Sequence, residues 1–416
     1  MTATVLQSTT AGRIELATAT ESGGYVFVNH ASRPHERKPH EAWDMAPAER
    51  QAAGLFTDLK ESLASAGCAP ADVVRLDQYY ADWRTVPHYH AARRDAFANA
   101  IPASTSILQE ELLVPGGCIE LLALARRRKN DETYSFITPE GLEVSPHMGF
   151  SPIVETPEFA FLAGQMAEDG NDGIAVSAKV PQTHLWKGSA IALQTRYLIL
   201  NKLEPSLAAA GLAARDVVKA QVYLSDMADA GAFNAIWREW FGSKPPATTI
   251  VPTSQPGFNC PDAVIEINLI AARQGAQVAR LVLDEGPELY QAYPSAIAAG
   301  GLLFLSGLMA IDQSGLVASA RPDPFALHLF SSAEAQTEAI VARADRIAEA
   351  AGHRLDDAVR IVHFHTDLRD VYAAARVWQQ RLGSPIPFTA VRVPAPLAVP
   401  GGTILADIWI GGGTTA

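Results

Sequence analysis

Three segments of this 416-residue chain share one set of ungapped spacings, and that periodicity constrains the fold more than any other feature. Ala66 and Gly67 lead to Asp72, Ala210 and Gly211 to Asp216, and Ala351 and Gly352 to Asp357. Ten residues beyond each aspartate stands another, at Asp82, Asp226 and Asp367. Twenty beyond those stands a proline, at Pro102, Pro246 and Pro387. Such a chain folds as three copies of one unit, each long enough for its own core.

Each landmark has a local physical task. Ala-Gly closes an amphipathic helix, whose apolar face in the first copy carries Leu55, Phe56, Leu59 and Leu63; the glycine can take the left-handed conformation that ends it. The first aspartate precedes strand-like runs at 73–76, 217–224 and 359–362, and the second closes that strand before another helix, such as 233–241. The proline opens a strand pair ending in 119–125, 265–271 or 404–410, and each copy begins with a hairpin strand at 25–29, 159–163 or 302–306. The unit reads β-β-α-β-α-β-β, an α+β fold with both helices on one sheet face, over residues 12–128, 146–275 and 278–411. The uncharged stretch 289–311 has a membrane-like composition, but Pro294, Gly300, Gly301 and Gly307 divide it into two buried strands and a turn.

Hydrophobic residues make up 48% of the chain and charged ones 19%, a balance that builds cores rather than disorder. A formal charge of -12 argues against a nucleic-acid partner, and the basic run Arg126, Arg127, Arg128, Lys129 reads as the start of a linker. Cys68, Cys118 and Cys260 are too few and too scattered for a disulfide framework or zinc site. Without a charged and then apolar leader, the expectation is a cytoplasmic protein acting on a small molecule, away from membranes.

The middle copy carries Phe233-Asn234-Ala235, Trp240-Phe241, Pro245-Pro246-Ala247 and Ile265-Glu266-Ile267, with Ala163-Gly164-Gln165 upstream and Ser306-Gly307-Leu308 at the matching place in the third. These residues resemble the RidA family of imine and enamine deaminases, over nearly the whole chain. The resemblance implies trimers built around a central β-barrel, with clefts between subunits. Here it implies a chorismate-mutase-like intramolecular pseudo-trimer, existing as a monomer or a dimer. It also implies hydrolysis of 2-imino acids or enamines to keto acids and ammonia, with no metal and no cofactor.

In the family a strand arginine grips the substrate carboxylate and a glutamate on the last strand positions water; a tyrosine, a helix asparagine and a strand glycine complete the pocket. The arginine position holds Ser104, Thr248 and Thr389, so the fork that binds a carboxylate is missing from all three strands. The glutamate position holds Glu120, Glu266 and Leu405, with Asp407 two residues on. The asparagine position holds His90, Asn234 and Ala375; the tyrosine position Leu16, Phe150 and Tyr293; the glycine position His30, Gly164 and Gly307.

These substitutions frame the functional expectations. Glu120 and Glu266 either hold a water or brace the joint between copies. His90 is either an acid–base partner or a solvated helix histidine. Tyr293 either orients substrate or packs. His363 and His365 share a strand face and read as core residues rather than metal ligands. The dominant cleft is expected to unite Glu266 with Asn234 of the same copy and Tyr293 or Phe150 across the joint, while His30 crowds the Glu120 cleft. The leading reading is a cofactor-independent hydrolase of a C=N or C–N bond in a small, uncharged or cyclic substrate, with little activity on simple 2-imino acids. A lyase or chorismatase-like enol-ether hydrolase, and a non-catalytic metabolite binder, stand as alternatives.

Overall fold

The structure, a computed structural model, describes residues 2–11, 13–34, 47–98, 100–129, 132–142, 149–170, 173–183, 188–254, 256–283, 292–322, 324–325, 327 and 330–412. Two expected boundaries, at residues 12 and 146, fall outside these.

The landmarks become caps. Gly67, Gly211 and Gly352 all take φ near +70° (68°, 69° and 72°), and the next residue's N–H returns to the carbonyl five back in each copy: Cys68 to Leu63, Leu212 to Leu207, His353 to Ala348. That left-handed ending is why glycine stands there. Asp82, Asp226 and Asp367 accept from the backbone N–H two residues on, at 2.9, 2.8 and 2.9 Å, and start the next helical turn.

Three sheets share one strand order. In the first, Thr4–Ala11, Ile14–Ser22, Tyr25–Ala31, Ile119–Arg126, Val73–Tyr80 and Ala103–Leu108 lie side by side. The second runs Ser135–Ile137, Ile153–Glu155, Phe159–Gln165, Ile265–Ala272, Val217–Leu224, Ala247–Pro252. The third runs Val278–Leu281, Ala296–Ala299, Leu302–Leu305, Ile404–Ile410, Ala358–His365, Phe388–Arg392, and ends on Glu111–Leu112 borrowed from the first repeat. The strand after the landmark proline does not pair with the last strand, as the expected strand pair would suggest. It pairs in parallel with the strand before its helix, and the last strand is inserted on the other side of that one. Parallel neighbours need a crossover between them, and the helix supplies it. The stretch 289–311 is a hairpin where described, turned by Gly300 and Gly301 at φ 54° and 80°. No helix among the described residues is long and apolar enough to cross a membrane.

Helices Pro47–Ser65 and Val86–Phe97 cover the first sheet, and Ser332–Ala350 with Val371–Leu382 the third. In the second repeat, Ala190–Leu198 passes through a π-turn at Ile199–Leu203 into Glu204–Ala209, and Ala230–Phe241 packs beside it. The opposite sheet faces converge. Tyr25 and Phe27, Phe159 and Phe161, and Phe304 and Trp409 form one buried cluster drawn from all three sheets, with Phe159 5.8 Å from Phe304 and Phe304 5.0 Å from Trp409 between ring centroids. Beyond it the sheets exchange charged contacts in sequence. Arg75 of the first reaches Gln221 and Asn268 of the second, Lys219 of the second reaches Asp407 of the third, and Arg360 of the third reaches Asp77 of the first. Asp407 thus belongs to this central network and does not stand in for the glutamate missing at Leu405.

Candidate active site

Because each repeat meets the next in a ring of contacts, the pocket positions of one repeat are completed by its neighbour. The structure sorts the sequence-derived residues into three joints, and at one of them a carboxylate borders an internal space.

At the joint of the first and second repeats, Val86, His90 and Arg93 project from helix Val86–Phe97, and Ser104 and Ser106 from the strand after Pro102. The second repeat supplies Gly164, Met166, Glu168, Asn259 and Glu266, with Phe150 leading into it. The space among them is 30 Å³, enough for one or two waters but not for a metabolite, so a substrate must displace side chains to enter. Glu266 faces the backbone of Gly164 so closely that a Cβ there would overlap its Oε1. The strand makes this approach by slipping register between Leu162 and Gln165. Burial, aided by the Glu168 carboxylate, pushes Glu266 up to about 8, so at neutral pH it is chiefly a proton donor. Burial and the Arg93 and Arg94 charges drive His90 down to about 3, which keeps its imidazole neutral.

A buried arginine stands beside the serine at the missing arginine's strand position. Arg93, 1% exposed, donates from Nη1 to Ser104 Oγ at 2.6 Å, the side chain that occupies the family's arginine position. Gln78 holds the same serine at 2.8 Å, Tyr89 donates to Gln78 at 3.2 Å, and the Arg93 guanidinium lies over the Tyr89 ring. A cation thus lines the Glu266 space after all, delivered by the helix.

At the second-to-third joint, Asn234 and Tyr293 hydrogen-bond to each other. Gly307 N–H donates to Thr248 O at 3.0 Å, and Ser306 Oγ receives the Thr248 N–H at 3.1 Å. Leu405 lies where a glutamate would be, 3.1 Å from a Cβ built on Gly307. The expected union of Glu266 with Asn234 is therefore corrected: Glu266 lines its space with His90 of the preceding repeat, and Asn234 meets Tyr293 of the following one. Outside this joint opens a 430 Å³ basin bordered by Arg238, Lys244, Arg280 and Tyr293.

At the third-to-first joint, Thr389 hydrogen-bonds to Glu120, whose other oxygen is buried without a partner. Burial raises Glu120 to about 7. Leu16 bridges to Ile386, and the Ala17 N–H donates to Ile386 O at 2.8 Å. His30 does not crowd this joint: it turns toward helix Pro47–Ser65, with Nε2 2.8 Å from Ser62 Oγ. His363 and His365 are core residues, with the Trp378 indole donating to His363 Nε2 at 2.9 Å.

Arg93, Glu168, Ser106 and Asn259 were not anticipated. Arg93 had a signal, since it follows His90 by three on the buried stripe Val86, Tyr89, His90, Arg93, Phe97. Glu168 lies beyond its strand, where no periodicity points to it.

The family model described as Endoribonuclease L-PSP matches residues 141–273 and 285–403, more than half of the chain. A RutC family protein of Pyrococcus horikoshii is 32% identical over 125 residues, covering 30% of this chain and 87% of the relative. The 3-aminoacrylate deaminase RutC of Acinetobacter baylyi is 31% identical over 135 residues, covering 32% of this chain and 94% of that protein. Each relative therefore has the length of one repeat. A chorismatase crystal structure overlays 92% of this chain and 98% of its own at a TM-score of 0.52 and 12% identity, a likeness of fold. With two repeats matched in sequence and a third carrying the same spacings and strand order, the chain belongs to the RidA family, the family described as Endoribonuclease L-PSP.

Proposed function

We propose that the chain hydrolyses the C–N bond of a small enamine or imine that carries an anionic group, without metal or cofactor, at the joint of its first and second repeats. The observation that carries this reading is Glu266, protonated by burial and sharing one small space with the Arg93 guanidinium. The three joints then act as intramolecular counterparts of a trimer's clefts, two of them without chemistry.

The steps balance. The Glu266 carboxyl donates its proton to the enamine carbon, and C=C–N becomes C–C=N⁺. The resulting cation favours the ionised carboxylate, which takes a proton from water as the oxygen bonds to the iminium carbon. Returned to nitrogen, that proton lets the C–N bond break; the hydroxyl proton passes to the ionised Glu266 as the C=O forms, which restores the acid and leaves a carbonyl and ammonia. Arg93 holds the anionic end in a charge-assisted contact and so fixes which carbon faces Glu266. The relative named as a 3-aminoacrylate deaminase acts on a molecule of this kind, an enamine bearing a carboxylate.

Ammonia release from 3-aminoacrylate generated in the assay, in ¹⁸O-water, tests the reading. Ammonia together with a labelled carbonyl product is expected; no release from enamine or imine carboxylates would overturn it. Hydrolysis of an enol ether is a second reading, favoured by the same ready acid, and it would release an alcohol instead. RNA cleavage is not favoured. The net charge is -12, and the basic run is paired with carboxylates, Arg126 with Glu132 and Glu158, Arg127 with Glu21, and Arg128 with Asp72. With its repeats already meeting one another, the chain should scatter light as a monomer, or as a dimer through an outer face. An obligate homotrimer would contradict that.

A further inference from the structure

The centre of the molecule holds charge that the proposed chemistry does not use. Arg75, Lys219 and Arg360 each stand three residues beyond a landmark aspartate, so every repeat sends in one cation from the same strand position. Two carboxylates meet them: Asp77 lies 2.9 Å from Arg75 and 2.8 Å from Arg360, and Asp407 lies 2.6 Å from Lys219. All five side chains are at most 5% exposed. Their other polar neighbours are neutral. Gln221 and Asn268 accept from Arg75, the Tyr79 and Tyr223 hydroxyls lie 3.1 Å apart, and the Trp409 ring faces both guanidiniums. Three positive charges against two negative leave one in excess, in a region where an unmatched charge is costly.

The excess has an address. Lys219 is saturated, donating to Thr249 Oγ1, Leu305 O and Asp407 at 2.8, 2.7 and 2.6 Å. Burial pushes its pKa down, but its three N–H bonds all find acceptors, one of them a carboxylate, and that triple donation needs the charged ammonium. Arg360 is not saturated: its Nε and Nη2 are buried without an acceptor, and Asp407 stands 4.0 Å from Nε. Beside Arg360 lies a space of 20 Å³ lined also by Thr20, Asn29, Leu122 and Pro387, room for one particle of water or halide size. Asn29 Oδ1 is likewise without a partner, and its Nδ2 makes only a 3.5 Å contact with Phe388 O. Turning that amide over presents its N–H donors to the space.

We propose that this space is a binding site for one monovalent anion of halide size, held by Nε and Nη2 of Arg360 and the Asn29 amide, neutralising the core where the first and third repeats meet. Crystals of the full chain soaked in sodium bromide, paired with melting curves in chloride and in gluconate at one ionic strength, test it. The expected result is an anomalous bromide peak beside Arg360 and a saturable rise in Tm of about 1–3 °C with chloride. Arg360→Gln should abolish both; if that variant fails to fold, the wild-type pair of measurements still decides. No peak at Arg360, or a peak without any melting response (an adventitious ion only), would overturn the proposal.

Discussion

Glu120 and Glu266 occupy the same place on the last strand of their repeats, yet one is enclosed and the other borders a space that admits water. The carboxylates do not differ; their surroundings do. Beside Glu266 the neighbouring strand slips register and places a glycine, whose missing side chain leaves the carboxyl room against the backbone. Beside Glu120 the strand Tyr25–Ala31 keeps regular register to its end, pairing Ala31 directly with Glu120, and Thr389 closes over the carboxyl from the third repeat. Burial raises both, to about 7 and about 8. A raised carboxyl pKa therefore marks both joints, and it is the strand irregularity that separates a candidate acid from a brace.

The strongest way to break this comparison is to exchange each carboxyl for an amide. Glu266→Gln should fold normally and lose about 10²–10⁴-fold in rate, the range for general acid–base catalysis, while Glu120→Gln should retain most of the activity. The reverse ranking in steady-state kinetics would move the chemistry to the third-to-first joint. A smaller effect comes from the glycine itself. Gly164→Ala puts a methyl onto Glu266 Oε1 and should lower kcat at least about tenfold by turning the acid away from the reacting carbon. Gly307→Ala meets only Leu405 and Thr249 at 3.1 Å and should alter melting more than rate.

Arg93→Gln sharpens the division of labour. If the guanidinium anchors an anionic group, KM should rise more than kcat falls, and a neutral substrate should be less affected. The gentlest test is pH. Glu120 has a folded pKa of about 7 against 4.5 for the free side chain, so folding favours its proton. The stability linked to that proton is complete below pH 4.5 and is lost as pH rises through 7, about 3 kcal/mol at the order-of-magnitude level. Denaturant titrations of Glu120→Gln from pH 4 to 8 should show a flatter decline than wild type. An unchanged slope would mean that Glu120 ionises freely at its joint.

Much of the fold could be read from spacing alone because the landmarks are caps: Gly67, Gly211 and Gly352 end helices, and Asp82, Asp226 and Asp367 begin them, whatever the core between them contains. Strand order was less legible, since a parallel crossover and a simple hairpin leave the same alternation in sequence. The site was half legible. Its residue positions followed from one repeat, but which repeat faces which is a property of the ring of contacts, so Glu266 was matched with Asn234 instead of His90. Arg93 escaped because a guanidinium was sought on the strand at Ser104, and the helix delivers it from eleven residues earlier.

The central claim is that substrate meets Glu266 at the first-to-second joint. A crystal of Glu266→Gln soaked with a small 2-oxo acid such as pyruvate, a stable analogue of an imino acid and the kind of product deamination yields, tests it most directly. The account predicts density in the space beside Gly164, with the carboxylate on Arg93 and the carbonyl carbon facing residue 266. Density at the basin beside Asn234 and Tyr293, with the Glu266 space unchanged, would contradict it.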